Sequence, residues 1–439
     1  MMTRKLFLNV LLATLVVAYV ALLHSPLRLA GDSPVYLCDA SDLADGRGFQ
    51  DDHLPRGYPH ALAALDLIHF GTSAGIVALN LLTLAAGLVC TATVLRRELE
   101  FSRTESNTIC LLVCCSWMWI QLTTFPLSEP LFFAFSSMVL ALLALAKDRP
   151  PWQAALYLAV AGLLAVAAFL VRTIGAALFL AVGLAVLQTP FVQRFLGRRG
   201  ALLLFFVGLV LAAGLGYALR DRIASAWYVN AIAYLKSPQI TLHMAEDVVN
   251  WRIGEIGELV QNASSTAVVP TTPYLPIETT APGVLIMLQL RAVRMVMGVA
   301  ALLLVLAGLW ARRRQFGPVE AYFFGFVGIL LIWPFDDTRF FAPVLPLILA
   351  YAWRGLRSWP IRPQNLRRFA VAYAVVFCLF GGLALGDSLR VTYFDRGQPW
   401  RECGTYVADL PAWLTAFDRY GGVRPEKIHR SPRPPRVAP

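Results

Sequence analysis

The feature that most narrows what this chain can become is a succession of stretches, each close to twenty residues long, that carry almost no charge. A bilayer core about 30 Å thick is crossed by about 20 apolar residues in a helix, because unpaired peptide groups are costly in lipid. Such stretches lie near 5–24, 71–95, 107–126, 129–147, 153–171, 173–190, 201–219, 293–311, 318–335, 340–356 and 369–388. The fifth and sixth are divided by Arg172 alone. The expectation is an all-α polytopic membrane protein of about eleven transmembrane helices. Composition agrees: 58% of residues are hydrophobic and 15% charged, against about 45–50% and about 25% in soluble domains. The first stretch follows Met1-Met2-Thr3-Arg4-Lys5 with no small-residue cleavage site, so it reads as an anchor and not a removed signal.

Lys and Arg in short loops mark the cytoplasmic side. With the N-terminus inside, the inner loops hold Arg96, Arg97 and Arg103; Lys147 and Arg149; Arg194, Arg198 and Arg199; Arg312 to Arg314; and a basic stretch from Arg354 to Arg368. The outer segments are then about 25–70 and 220–292, and a transmembrane module over 1–388 precedes an outer tail over 389–439 with a Pro/Arg-rich, disordered end. The net charge of +11 becomes a topology signal. Nucleic acid is excluded as a partner, since no soluble domain presents a basic face. An Arg- and Ala-rich chain without a sorting signal points to a bacterial inner membrane, with the outer segments periplasmic or extracellular. Of seven cysteines, none has metal-binding spacing. Cys90, Cys110, Cys114, Cys115 and Cys378 fall in apolar runs and suit packing. Cys38 and Cys403 fall in outer segments and could pair in an oxidising compartment.

The first outer segment is the most polar piece near the apolar runs, with Asp32, Asp39, Asp42, Asp45, Asp51 and Asp52. Ser33-Pro34 reads as an N-cap followed by proline at the first helical position. A short helix to about Ala44, closed by Asp45-Gly46, would carry an apolar stripe of Tyr36, Leu37, Ala40 and Leu43 suited to the membrane surface. Asp32 would sit at its mouth. One reading makes Asp32 a capping or solvated carboxylate. The other makes it a general base, since a carboxylate near lipid gains proton affinity and can take a proton from a hydroxyl.

Three further groups fall at the same membrane face. Glu129 begins the fourth apolar run in Pro126-Leu127-Ser128-Glu129-Pro130, Arg172 divides the fifth and sixth, and Arg339 opens the tenth in Asp336-Asp337-Thr338-Arg339. Each alone is accounted for by a charge snorkelling at a helix end. Together they suggest a substrate path, with arginine forks suited to phosphate oxygens.

The stretches Gly31-Asp32-Ser33 through Tyr36, Ala40 and Gly46-Arg47-Gly48-Phe49, then Pro55-Arg56-Gly57-Tyr58-Pro59, together with Ser128-Glu129-Pro130-Leu131-Phe132 and Arg339-Phe340-Phe341-Ala342-Pro343-Val344-Leu345-Pro346, resemble the polytopic glycosyltransferases of the C superfamily (GT-C). The likeness is to the group of protein mannosyltransferases and aminoarabinose transferases. The resemblance implies transfer of a sugar, with inversion, from a polyprenyl-phosphate donor to a lipid, glycan or protein acceptor on the outer face. It also implies that Asp32 deprotonates the acceptor hydroxyl. Arg172 and Arg339 are the candidates for the lipid phosphate, with Tyr36, Asp39, Arg56, Tyr58 and Glu129 as further substrate-binding candidates. The chain departs from the group in Asp32-Ser33, where many relatives have Asp-Glu, and in Arg56, where many have proline. No cofactor is firmly implied. A divalent metal stays open, with Asp336-Asp337 and Asp51-Asp52-His53 as the groupings that could serve.

Two other classes compete. A secondary transporter or lipid flippase would show repeated halves, broken helices and midplane charges, whereas these helices read as continuous. A non-catalytic membrane assembly factor would use the charged face only for binding. Within segment 220–292, a helix is expected near Thr241 to Val260, and Asn262-Ala263-Ser264 fits a glycosylation sequon, with use not expected. A short amphipathic helix is expected between Trp400 and Trp413.

Overall fold

The computed structural model describes residues 2–29, 32–47, 54–190, 192–194, 197, 200, 238–262, 281–333 and 337–394. Among them every regular element is helical. The helices are α1 (Met2–Ala21), α2 (Ser33–Ala44), α3 (Gly57–Leu67), α4 (Ser73–Arg97), α5 (Arg103–Cys114), α6 (Trp117–Thr124), α7 (Glu129–Ala146), α8 (Pro151–Val171), α9 (Ala176–Leu187), α10 (Pro238–Gln261), α11 (Ala281–Arg312), α12 (Pro318–Ile332), α13 (Leu345–Arg357) and α14 (Pro363–Tyr393).

Among the described residues, five helices are long and apolar enough to cross a membrane: α4, α7, α8, α14 and the stretch Ala292–Gln315 that includes most of α11. The pair α5 and α6 makes a sixth span if taken together. Shorter apolar helices occupy Leu12–His24, Thr173–Leu187 and Pro318–Leu331, on three of the expected runs. The expected run at 201–219 lies outside the described residues, as does the expected helix between Trp400 and Trp413. The run at 340–356 is not one α-helix. It opens as a 3-10 turn over Thr338–Val344 and becomes α-helical only at Leu345. Pro343 and Pro346, each without an N–H, disfavour a continuous α-helical ladder there.

The run at 107–126 was expected to be continuous and is broken, α5 and α6 meeting at 57°. The cause is a carboxamide inserted into the helical ladder. Asn262 accepts the Trp117 N–H at 2.8 Å and donates to the carbonyls of Cys115 at 2.8 Å and Phe377 at 2.7 Å. It follows the last turn of α10 in the left-handed region, with φ 58°, and is 1% exposed. This is the asparagine of the sequon, and its nitrogen is committed to two carbonyls in the interior.

The chain divides into two compact units, whose described residues fall within 1–81, 121–127 and 385–394 for the first and 82–120 and 128–384 for the second. In the first, α2 runs from Ser33 to Ala44 as the sequence suggests, and Gly46 (φ +70°) turns the chain where a side chain would be strained. The apolar stripe differs from expectation. Tyr36, Leu37 and Ala40 are buried within the protein and not laid on a membrane surface, because α3 packs against α2 and sets Tyr58 edge-on to Tyr36 at 5.2 Å. Arg28 ties this unit further, donating to Ser25 Oγ at 3.0 Å, Ser388 Oγ at 3.0 Å and Thr392 Oγ1 at 2.9 Å.

In the second unit α7 is the interior helix: 78% of its apolar window is buried, against 22% for α8 and 17% for α14. The closest crossings use glycine, as is common where helices associate without a hydrophobic drive. A Cβ on Gly257 of α10 would lie 1.8 Å from the Arg294 carbonyl of α11, and one on Gly298 would lie 2.0 Å from the Ile253 carbonyl. No side chain fits there, so α10 is pressed against α11 in a fixed register.

Candidate functional site

A cluster of buried charges gathers at one end of the second unit. It starts at Glu129, the first residue of α7, where Pro130 occupies the first turn. Glu129 is fully buried. Arg172 reaches it from the end of α8, where an extended backbone (φ −150°, ψ 130°) stops the helix. Its Nη1 lies 2.5 Å from Glu129 Oε1 and 3.1 Å from Ser128 Oγ. Arg339 arrives from the 3-10 turn, with Nε 3.5 Å from the same Glu129 oxygen and 2.5 Å from Asp337 Oδ2. The Phe340 ring faces both guanidinium carbons at 5.4 Å, a distance at which the ring quadrupole attracts a cation. The two arginine side chains keep 16% and 12% of their surface exposed, whereas Glu129 keeps none. Neither Glu129 oxygen has an aligned hydrogen-bond donor within the protein, so its contacts are ionic and leave acceptor capacity.

Helix α10 adds a second layer. Arg252 places Nη1 at 2.9 and 2.7 Å from the two Glu255 oxygens. Glu255 Oε1 accepts the Asp337 N–H at 2.6 Å, and Glu258 Oε2 accepts the Thr338 hydroxyl at 2.9 Å. Arg294 of α11 stands 3.5 Å from Glu258. Burial pushes the Glu255 carboxyl up to about 7, opposed by Arg252 and the Asp337 N–H. Burial likewise raises Glu258 against the pull of the Thr338 hydroxyl and Arg294, and raises Asp337 against the pull of Arg339. Arginines 172, 252, 294 and 339 thus face Glu129, Glu255, Glu258 and Asp337. The row Arg252, Glu255 and Glu258 was missed in the sequence, where only a helix near Thr241 to Val260 is expected in segment 220–292. Its signal was there, three charges spaced by three on one helical face.

Of the residues singled out in the sequence, the structure brings Glu129, Arg172 and Arg339 into contact, and pairs Tyr36 with Tyr58. Asp32, Asp39 and Arg56 belong to the first unit with those tyrosines. Asp32 is half-buried and stands immediately before α2, yet its side chain makes no capping hydrogen bond to that helix, which removes the capping reading. Asp39 is buried on α2 and Arg56 is exposed at the start of α3. Among the described residues no three His, Cys, Asp or Glu side chains are grouped as a metal site. Asp336, Asp51, Asp52, His53 and Cys403 lie outside the described residues, and with them the metal groupings and the Cys38–Cys403 pairing.

Helices of membrane-crossing length and a charged cluster at their ends define an all-α polytopic membrane protein. No protein-family model matches the chain, and no curated protein matches it. Among solved structures it is similar to ArnT from Cupriavidus metallidurans bound to undecaprenyl phosphate, with 13% identity and a TM-score of 0.48 over 89% of this chain and 78% of that one. It is similar also to the apo state of the same protein, with 12% identity and a TM-score of 0.48 over 90% and 79%. ArnT is an aminoarabinose transferase of the GT-C group, the group the motifs resemble. At this identity and score the similarity decides nothing about chemistry, which has to be read from the chain's own side chains.

Proposed function

We propose that the chain is a membrane glycosyltransferase that moves a sugar from a polyprenyl-phosphate donor to a lipid, glycan or protein acceptor at the outer face of a bacterial inner membrane. The observation that carries this reading is the convergence of Arg172 and Arg339, from two separate elements, on one buried carboxylate while both keep an exposed edge. Buried charges at helix ends are costly and mark substrate paths, and paired guanidinium forks match phosphate oxygens. In the proposed reaction Asp32 takes the proton of the acceptor hydroxyl. The acceptor oxygen bonds to the anomeric carbon from the face opposite the phosphate, and the carbon–oxygen bond to phosphate breaks with inversion. The departing phosphate keeps the electron pair, and Arg172 and Arg339 stabilise that charge. Asp32 holds its role by resemblance. Tyr36, Asp39, Arg56, Tyr58 and Glu129 are proposed to line the substrate site.

One observation favours a transporter instead: the α5–α6 pair is broken, as transporter helices are. Transporter breaks present bare carbonyls to ions. Here the Cys115 carbonyl is taken by Asn262, which fills the break. The glycosyltransferase reading therefore stands ahead. Its test is transfer of radiolabelled sugar from a panel of polyprenyl-phosphate sugars, in membranes holding the wild type or Asp32→Asn. Transfer by the wild type and none by the folded variant is the expected result. Equal transfer removes Asp32 as base, and no consumption of any donor by the wild type overturns the class.

A further inference from the structure

The turn that carries Arg339 lies between α12 and α13. It is a 3-10 segment interrupted by Pro343, and 3-10 turns are the weaker helical geometry. What holds it is the row on α10. Arg252 donates Nε to the Leu330 carbonyl at 3.0 Å and Nη2 to the Trp333 carbonyl at 2.7 Å, both at the end of α12, where the Leu330 carbonyl also accepts the Trp333 N–H at 3.2 Å. Its Nη1 grips Glu255, which takes the Asp337 N–H at 2.6 Å, and one turn on Glu258 takes the Thr338 hydroxyl at 2.9 Å. Asp337 in turn accepts the Arg339 N–H at 2.9 Å and pairs with its guanidinium at 2.5 Å. One helix therefore holds the end of α12 and the beginning of the Arg339 turn together. The helix itself is locked to α11 through Gly257 and Gly298.

We propose that Arg252, Glu255 and Glu258 are positioning residues that fix Arg339 for phosphate recognition, so that α10 sets the geometry of a lipid-phosphate subsite it does not itself line. This rests on the reading of Arg339 given under Proposed function. Arg252, Glu255 and Glu258 are 3%, 5% and 9% exposed. Burying three such groups costs more desolvation than a simple helix contact would require, whereas holding an arginine fork in one place justifies a rigid, hydrogen-bonded frame.

The test is the affinity of the full chain, in detergent, for undecaprenyl phosphate, compared among wild type, Glu255→Gln, Arg339→Gln and the double variant. Glu255→Gln keeps an oxygen for the Asp337 N–H but removes the charge that grips Arg252. It is expected to weaken binding about tenfold, a loss typical of directly coupled residues. Arg339→Gln weakens it at least as much, and the double variant binds no more weakly than Arg339→Gln alone. A merely structural role lowers the active fraction without that non-additivity. Wild-type affinity in Glu255→Gln, or additive losses in the double variant, overturns the positioning role and leaves the phosphate reading standing. Wild-type affinity in Arg339→Gln, or no binding by the wild type, overturns both. Thr338→Val removes one half-buried hydroxyl and serves where Glu255→Gln does not fold. A loss of about threefold supports the frame, and an unchanged affinity contradicts it.

Discussion

The two ends of the second unit hold most of their charge pairs under different conditions. At the end of α7 that begins with Glu129, the paired side chains are nearly all enclosed: Glu129 at 0%, Arg252 at 4% and Glu255 at 6% exposure. At the other end, Arg97 pairs with Asp148 at 3.0 Å with 43% and 73% exposed, and Arg357 with Glu105 at 2.8 Å with 51% and 24% exposed, while Arg312 and Glu320, 2.7 Å apart, are enclosed there at 5% and 3%. Exposed pairs are screened by water and contribute little to stability. The enclosed end bears a desolvation cost that apolar packing would avoid, and membrane proteins keep such charges where chemistry or transport needs them. Enclosure alone therefore does not set the ends apart; what distinguishes the Glu129 end is two arginines meeting one buried carboxylate while each keeps an exposed edge.

The largest effect that would break the contrast is removal of Glu129. Glu129→Leu leaves two guanidiniums facing each other without their carboxylate and is expected to destabilise the chain by about 3–5 kcal/mol, read as unfolding in detergent. Arg97→Ala is expected to stay within about 0.5 kcal/mol. Comparable losses from the two variants would erase the distinction between the ends. Next in size is Asn262→Ala, which strips three buried hydrogen bonds from the α5–α6 break and is expected to cost on the order of 2–4 kcal/mol. A change under about 0.5 kcal/mol would show that the break holds itself open.

The smallest effect concerns pH. Burial raises Glu255 to about 7 from an ordinary value of 4.5, so between those values the folded chain binds more protons than the unfolded one. Stability therefore falls as pH rises from about 4.5 to about 7, and Glu258 and Asp337, raised in the same direction, add to the slope. Glu255→Gln should flatten it in unfolding curves taken across that range, whereas Arg357→Gln at the exposed end should leave it alone. An unaltered slope in Glu255→Gln would assign the proton to another group.

Much of the fold was legible because lipid makes such simple demands. Runs of apolar residues became the helices α4, α7, α8 and α14, and Ser33-Pro34 with Asp45-Gly46 bounded α2 to within one residue, Asp32 and not Ser33 standing at its N-cap. The break at Cys115 was not legible, because its cause is a side chain 147 residues away. The turn before α13 was signalled by Pro343 and Pro346 but masked by the apolarity around them. The burial of Tyr36, Leu37 and Ala40 was missed because an apolar stripe reads alike whether lipid or a neighbouring helix covers it. In the site, Glu129, Arg172 and Arg339 could be found as isolated charges at the ends of apolar runs. The Arg252, Glu255 and Glu258 row could not be assigned, because a charged helix face in a long loop looks like a solvated one until its partners are known.

The measurement that tests the central claim most directly is the rate of sugar transfer from a polyprenyl-phosphate donor by Arg172→Gln and Arg339→Gln, set beside Arg357→Gln at the exposed end. Each of the first two should lose about a hundredfold or more, the scale for removing one group that stabilises charge in a transition state, while Arg357→Gln stays near the wild-type rate. Undiminished transfer by Arg172→Gln and Arg339→Gln, or an equal loss in all three, would contradict the assignment of the enclosed end as the site of reaction.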